Sequence, residues 1–183
     1  MRIFISGGSR SGKSDHAQYL AKSQPACGPL YYVATMLPAD GEDRARIARH
    51  KERRRGWGFV TIEQPADVGG ILGKSDPGGS FLLDSLTALL ANEMFLPDGS
   101  VQTEAAAKIT GALTRLAGEI GHIVLVSDYI YGDAALYDPL TEAYRRSLAE
   151  IDRAAVAICD VVLEMTCGIA VAHKGKALYE TIR

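Results

Sequence analysis

The stretch Gly7–Ser14, GGSRSGKS, follows directly on the apolar run Arg2–Ser6, RIFIS. It matches the phosphate-binding pattern G-x-x-x-x-G-K-[ST] at every position. Glycines let the backbone curl so that successive N–H groups point at phosphate oxygens, and a helix that begins near Lys13 adds the positive end of its dipole. We therefore predict a strand over 2–6, a phosphate-binding loop (P-loop) over 7–14 and a helix over 14–23.

Every residue of the P-loop is a candidate contact for a nucleotide. The set comprises Gly7, Gly8, Ser9, Arg10, Ser11, Gly12, Lys13 and Ser14. In such loops the lysine reaches the β- and γ-phosphates and the final hydroxyl holds Mg²⁺. The nucleotide is ATP or GTP, and the pattern does not distinguish them. A glycine-rich turn without a ligand is the alternative, which the flanking strand and helix disfavour.

The composition is that of a globular protein. The chain has 183 residues, of which 47% are hydrophobic and 23% charged, so we expect a single domain over 1–183. The N-terminus leads into a strand without a basic and apolar leader, and no apolar run is long enough to span a membrane, which favours a cytoplasmic protein. Cys27, Cys159 and Cys167 lack metal-ligand spacing and are predicted to be free or buried thiols.

The charge is distributed unevenly. The net charge is −2, yet residues 44–55 contain seven basic residues and one acid. A concentrated basic segment favours a local anion site over general binding of nucleic acid. From about Glu42 the residues favour a helix, and helical spacing places five of them on one face: Arg46, Arg49, His50, Arg53 and Arg54. The alternative is a solvated charged helix with incidental pairs such as Glu42 with Arg46.

Apolar runs alternate with helical patterns along the rest of the chain. Further strands are predicted over 30–35, 58–63, 80–84, 122–128, 160–165 and 169–173. Helices are predicted from about 42, from 64–67 towards 72, and over 86–95, 102–119 and 140–158. This alternation predicts an α/β domain with a mainly parallel sheet flanked by helices, whose ligands bind outside the carboxyl ends of the strands.

Two features are expected at that edge of the sheet. The strand 80–84 ends in Asp84, a natural Mg²⁺ partner for a P-loop. The alternative is that Asp84 or Ser85 caps the helix that follows. The tyrosine-rich segment 129–139 is predicted to be an irregular loop at the same edge.

Five segments occur together in the order of a known family. They are the P-loop, Tyr32–Thr35 (YVAT), Arg46–His50 (RIARH), Trp57 with Glu63–Pro65 (EQP), and Leu82–Thr87 (LLDSLT) to Asn92. The chain resembles the bifunctional adenosylcobinamide kinase/adenosylcobinamide-phosphate guanylyltransferase of cobalamin assembly. The resemblance implies a RecA-like P-loop fold, a homo-oligomer that is often a trimer, and a corrinoid and a nucleoside triphosphate as partners. It also implies phosphorylation of adenosylcobinamide and transfer of GMP from GTP through a guanylylated histidine.

The family pattern assigns roles to individual residues. The resemblance implies that His50 is the nucleophile, that Arg46 and Arg49 flank it, and that Ser14 and Asp84 hold Mg²⁺. Nucleotide contacts are further implied for Thr35, Glu63 and Asp84. The remaining histidines, His16, His122 and His173, are predicted to be surface or packing residues. Trp57 is predicted to be a packing residue at the edge of a strand.

The second half of the chain departs from the family. Where the family shows S-N-E-V-G, this chain has Ser127–Asp133, SDYIYGD, and an N-Q pair of the family corresponds to Asp152 and Arg153. Two rival functions therefore stay open. One is a divergent kinase or NTPase that lacks guanylyl transfer and acts on a different small alcohol. The other is a regulatory module that binds a nucleotide and catalyses nothing.

Overall fold

The computed structural model describes residues 1–38 and 41–182. Within the second helix it describes the backbone, but not the side chains, of residues 42–44, 46 and 53.

Seven strands in the described ranges form one sheet. They are β1 (Arg2–Gly7), β2 (Leu30–Ala34), β3 (Phe59–Glu63), β4 (Ser80–Asp84), β5 (His122–Asp128), β6 (Val161–Thr166) and β7 (Ile169–Lys174). Their order across the sheet is β3-β2-β4-β5-β1-β6-β7. All neighbouring pairs are parallel except β6 and β7, which are antiparallel.

Helices connect the strands. In the described part of the chain they are α1 (Lys13–Ser23), α2 (Gly41–Arg53), α3 (Leu86–Met94), α4 (Ala105–Glu119), α5 (Pro139–Ile158) and α6 (Lys176–Glu180), with a 3₁₀ helix over Val68–Gly73. The predicted α/β fold with a mainly parallel sheet flanked by helices is confirmed. The short helix predicted towards residue 72 is a 3₁₀ helix, α4 begins at Ala105 rather than at the predicted 102, and α6 was not predicted.

Each face of the sheet carries its own hydrophobic core. On one face α3, α4, α5 and the 3₁₀ helix pack through residues such as Leu89, Ile109 and Leu148, all of them buried. On the other face α1 packs through Leu20 against Ile5 of β1. A central parallel strand is covered on both sides, which explains why β1, β4 and β5 read as continuous apolar runs.

The parallel strands bring their carboxyl ends to one edge of the sheet. That edge collects the ends of β1, β2, β4 and β5, where the P-loop and two aspartates lie. Within the described residues, no helix is both long and apolar enough to cross a membrane. The three cysteines are free thiols, with Cys159 buried and the other two exposed, as predicted.

Candidate functional site

The P-loop forms by local backbone geometry. The N–H of Ser11 donates to the carbonyl of Gly8 at 3.3 Å, and Arg10 and Gly12 take left-handed conformations with φ of 57° and 93°. The N–H of Gly168, in the β6–β7 turn, donates to the carbonyl of Ser11 at 3.0 Å. The loop is thereby closed on itself and fixed to the neighbouring strands before α1 begins at Lys13.

Lys13 is directed into the loop. Its side chain is only 7% exposed, and Nζ donates to the carbonyl of Gly8 at 2.7 Å and pairs with Oδ1 of Asp128 at 2.9 Å. Asp128 ends β5 and lies opposite Gly7 in the register of β1 and β5. The N–H of Asp128 donates to the hydroxyl of Thr87 at 2.9 Å, which fixes the end of the strand.

Asp128 was not among the predicted site residues. The sequence carried a usable signal, because Asp128 is an acid at the end of a buried strand, as Asp84 is. The unfamiliar sequence of the 127–133 segment obscured it.

The loop has the features of an anion cradle. The hydroxyl of Ser11 is buried, and none of the described residues hydrogen-bonds to it. A Cβ atom at Gly7 would overlap the carbonyl oxygen of Met165 and lie 3.0 Å from the Ser11 hydroxyl oxygen, so only glycine fits there. A buried hydroxyl beside a closely packed loop fits a phosphate oxygen as its hydrogen-bond partner.

The end of β4 presents Asp84 to the same edge. Its Oδ2 accepts a hydrogen bond from the hydroxyl of Tyr32 at 2.9 Å. Ser85, joined to Asp84 by a cis peptide bond, caps α3 by accepting from the N–H of Ala88 at 3.3 Å. The capping alternative is therefore correct for Ser85 and not for Asp84. Asp84 and Ser14 offer the carboxylate and hydroxyl oxygens that Mg²⁺ prefers, so they fit this cation chemically.

Thr35 supports the turn after β4. It is fully buried, and its hydroxyl donates to the carbonyl of Ser85 at 2.8 Å and accepts from the N–H of Ser85 at 2.7 Å. The amide of Asn92 donates to the carbonyl of Thr35 at 2.7 Å and to that of Pro65 at 2.9 Å. The hydroxyl of Thr35 thus holds the segment that carries Asp84, and its contact with a nucleotide stays a prediction.

Most of the described side chains of the basic helix α2 are exposed, as its few apolar residues predicted. Arg49 is exposed and His50 half-buried, while the side chain of Arg46 lies outside the described part of the structure. The prediction that Arg54 shares an anion-facing surface with His50 is wrong. Arg54 is buried, with its guanidinium 3.5 Å from the centre of the Tyr32 ring. Arg54 lies just past the last residue of α2, Arg53, and its guanidinium is buried over the Tyr32 ring and so is not free to face an anion.

Glu63 belongs with α2 rather than with the P-loop. It ends the edge strand β3, which β2, β4 and β5 separate from β1. Its carboxylate pairs with Nζ of Lys51 at 3.2 Å, and both side chains are exposed. Lys51 and Arg54 also line an open hollow of about 720 Å³ with Phe59 and Thr61 of β3.

The segment 129–138 is irregular, as predicted, and α5 fixes it. Nε of Arg145 donates to the carbonyl of Ile130 at 3.2 Å, and its guanidinium lies 3.4 Å from Asp133. The hydroxyl of Tyr131 donates to Oδ2 of Asp152 at 2.9 Å. Burial raises the pKa of Asp152 to about 6, and the nearby charge of Asp128 acts in the same direction.

The other histidines and Trp57 have packing or surface contacts, as predicted. His16 lies 3.0 Å from the hydroxyl of Tyr179, and its burial lowers its pKa. His122 contacts the terminal amine at 2.9 Å, and His173 pairs with Glu164 at 2.8 Å. Trp57 is half-buried, with Nζ of Lys22 5.1 Å from its ring centre.

Comparison with known proteins places this geometry in a family. The profile of the cobinamide kinase / cobinamide phosphate guanyltransferase family matches residues 3–173. The bifunctional adenosylcobalamin biosynthesis protein CobP of Pseudomonas aeruginosa is 32% identical over 180 residues, which cover 97% of this chain and 100% of that protein. CobU of Salmonella typhimurium is 33% identical over 111 residues, covering 57% and 56% of the two chains.

Solved structures are similar at lower identity. A KaiC-like protein from Pyrococcus horikoshii has a TM-score of 0.49 at 14% identity, covering 89% of this chain and 69% of that chain. The flagellar accessory protein FlaH from Methanocaldococcus jannaschii has a TM-score of 0.41 at 16% identity, covering 94% and 77%. The family profile spans both the P-loop and the basic helix, as does the similarity to CobP. The chain therefore belongs to the cobinamide kinase / cobinamide phosphate guanyltransferase family and is a transferase.

Proposed function

We propose that this protein phosphorylates adenosylcobinamide with a nucleoside triphosphate and then transfers GMP from GTP to the product through His50. One observation carries the proposal: a closed P-loop with a buried lysine and a separate basic helix with a histidine occur in one chain of this family. The first element suits phosphoryl transfer, and the second suits a covalent nucleotide intermediate.

The phosphoryl step uses the P-loop, residues 7–14. Backbone N–H groups and the Ser11 hydroxyl bind phosphate oxygens, and Lys13 turns its ammonium from Asp128 towards the β- and γ-phosphates. Ser14 and Asp84 hold Mg²⁺, which neutralises charge on the β- and γ-phosphates when bound. Because phosphoryl transfer depends on positioning and charge neutralisation, the chain needs no covalent group for this step.

The guanylyl step uses α2. A nitrogen of the neutral His50 imidazole attacks the α-phosphorus of GTP, a P–N bond forms, and the bond to pyrophosphate breaks. Arg46 and Arg49 offset the negative charge of the triphosphate and of the leaving pyrophosphate. A phosphate oxygen of adenosylcobinamide phosphate then attacks the same phosphorus, which breaks the P–N bond and restores His50. Glu63 and Thr35 complete the proposed nucleotide contacts.

A divergent kinase or NTPase without guanylyl transfer is the second candidate. The observation that favours it is the Asp128–Lys13 ion pair, followed by a tyrosine-containing segment where the family has S-N-E-V-G. This change lies at the edge where the acceptor would meet the γ-phosphate. It therefore bears on the alcohol substrate, while the P-loop is intact.

A labelling experiment tests the proposal. Protein incubated with Mg²⁺ and α-labelled GTP should retain acid-labile, alkali-stable label, and His50→Ala should remove it while γ-phosphate transfer to adenosylcobinamide continues. His173→Ala, at an exposed histidine, is the matched control and should keep the label. Phosphate transfer without any adduct would support the second candidate. Nucleotide binding with neither reaction would support a regulatory module.

The assembly is a further part of the proposal. On the family resemblance we expect one domain per chain, a homo-oligomer with a trimer as the first expectation, and a cytoplasmic location. Light scattering on the purified full chain measures the mass directly. A monomer at micromolar concentration would contradict the oligomer.

A further inference from the structure

Among the basic side chains that the structure describes over residues 44–55, that of Arg54 is the buried one. Its neighbours Lys51 and Arg55 are exposed and pair with acids at the surface, whereas Arg54 is 7% exposed. Its guanidinium lies 3.5 Å from the centre of the Tyr32 ring. A cation on an aromatic face is attracted to it, and more strongly where water is excluded. Arg54 therefore fastens the end of α2 to the sheet.

Tyr32 has a second contact, with the proposed metal ligand. The ring is buried in β2, and its hydroxyl donates to Oδ2 of Asp84 at 2.9 Å. A cation over the ring draws electron density from the phenol and makes its hydroxyl a stronger donor. One side chain thus joins the end of the basic helix to the carboxylate at the end of β4.

The connection continues to the proposed nucleophile through the backbone. The N–H of Arg54 donates to the carbonyl of His50 at 3.2 Å, so the two residues belong to the same helical turn. A change in how firmly Arg54 is held is therefore transmitted to the turn that carries His50.

We propose that Arg54 and Tyr32 are positioning residues that couple the Asp84 carboxylate to α2. The inference rests on the proposed function and adds a link between its two reactions. When Mg²⁺ binds Asp84, the carboxylate becomes a weaker acceptor and the hydrogen bond from Tyr32 weakens. The electron density of the Tyr32 ring then changes, and with it the attraction between the ring and the Arg54 guanidinium. Coupling between sites is reciprocal, so the state of α2 also affects binding of Mg²⁺ with a nucleotide.

Trp57 provides a built-in probe of this link. It is the only tryptophan of the chain. Its backbone N–H donates to the carbonyl of Arg54 at 3.1 Å, and Lys22 of α1 lies over its ring. A movement of the turn that holds Arg54 changes the surroundings of the indole. Its fluorescence therefore reports the state of α2 without any measurement of activity.

The test titrates the full chain with ADP and Mg²⁺, with binding followed by calorimetry and the turn by Trp57 emission. In the wild type, emission should change saturably at the affinity found by calorimetry, and the change should be smaller with ADP alone. Tyr32→Phe keeps the ring but removes the hydrogen bond that competes with Mg²⁺ for the Asp84 carboxylate, so the Mg²⁺ concentration for half-maximal binding should fall about tenfold. The emission response should then be lost.

Matched variants separate this role from a structural one. Tyr31→Phe removes a neighbouring buried hydroxyl that accepts from the N–H of Asp76 at 3.0 Å, and it should leave both readouts unchanged. Arg54→Met keeps much of the side-chain volume and should abolish the emission response, whereas Arg54→Lys keeps the charge and should retain part of it. The double variant of Tyr32→Phe and Arg54→Met should bind no more weakly than Tyr32→Phe alone.

The outcomes distinguish the two levels of the proposal. Normal binding in Tyr32→Phe, with an unchanged Mg²⁺ requirement and a wild-type emission response, would overturn the coupling and leave the proposed function standing. Absence of calorimetric nucleotide binding in the wild type would overturn the proposed nucleotide site and the coupling with it.

Discussion

The P-loop region and the α2 region both depend on cations, but they hold them differently. In the P-loop, Lys13 is buried and bonded to the Gly8 carbonyl and to Asp128. On and just after α2 the pairs are exposed: the side chains of Lys51 and Glu63 are 54% and 72% accessible, and those of Arg55 and Glu52 are 80% and 67% accessible. Arg54, between these two cations, is buried.

The difference decides what each charge contributes. An exposed ion pair is screened by water and salt and stabilises little, whereas a buried charge is costly to leave without its partner. We therefore expect substitutions around the P-loop to have large effects and substitutions on the surface of α2 to have small effects on stability.

Loss of the P-loop lysine should have the largest effect. Lys13→Ala removes the P-loop cation that is buried beside Asp128, so kcat/KM for phosphate transfer should fall about 10³-fold, as for the loss of other preorganised electrostatic groups. Steady-state kinetics with a corrinoid alcohol measures it. Lys176→Ala, at an exposed lysine of α6, is the control and should keep wild-type kinetics. A fall of less than about tenfold in Lys13→Ala would contradict the assigned role.

A pair of adjacent glycines tests how closely the P-loop is packed. The added methyl of Gly7→Ala would overlap the Met165 carbonyl, so unfolding free energy should fall by about 2 kcal/mol, a typical cost of overpacking. At Gly8 a Cβ would meet no atom within 4 Å, so Gly8→Ala should stay within about 0.5 kcal/mol of the wild type. Urea denaturation of both variants gives the comparison. Equal losses of unfolding free energy in both variants would show that the close contact of Gly7 with Met165 of β6 does not restrict the residue at position 7.

The buried carboxyl beneath the 129–138 segment should make stability depend on pH. Burial raises the pKa of Asp152 to about 6 in the folded chain, above its ordinary value of 3.8. Between these values the folded state binds more protons than the unfolded state, so this group lowers stability as pH rises from about 4 to 6.

Asp152→Asn removes that titration and can still accept the bond from Tyr131. Relative to the wild type, the variant should gain about 1–2 kcal/mol of unfolding free energy at pH 8 and little at pH 4. Denaturant curves at the two pH values measure the difference. A variant that is equally stabilised or destabilised at both pH values would contradict the raised pKa.

The smallest effect is expected at the surface of α2. Lys51→Ala breaks the exposed pair with Glu63, and unfolding free energy should change by less than about 0.5 kcal/mol. Arg54→Met, at the buried cation of the same segment, is the informative comparison and should cost more. Similar small changes in both variants would show that burial of Arg54 contributes little.

The features that were predicted correctly depend on residues close together in the sequence. The P-loop spacing fixed the strand, loop and helix because glycine positions and the helix start are local properties. The predicted irregular segment and the acid at the end of β4 followed from strand periodicity. Asp128 ends β5 as Asp84 ends β4, so strand periodicity could have identified it, but its contact with Lys13 depends on the pairing of β5 with β1, which spacing does not reveal.

Arg54 shows where local patterns stop being sufficient. Helical spacing grouped it with His50, but α2 ends at Arg53 and the Tyr32 ring decides where the next side chain lies. The position of Glu63 likewise depends on strand order, which separates it from the P-loop and brings it to Lys51; its contact with a nucleotide stays a prediction.

The P-loop, the α/β alternation, the family and the candidate nucleophile can be read from the sequence, because they depend on residue types at fixed short spacings. The fold was needed to show that Lys13 contacts Asp128, that Tyr32 joins Arg54 to Asp84, and that α5 holds the 129–138 segment. Those contacts join residues far apart in the chain, and their geometry depends on strand order and on which side chains the two cores bury.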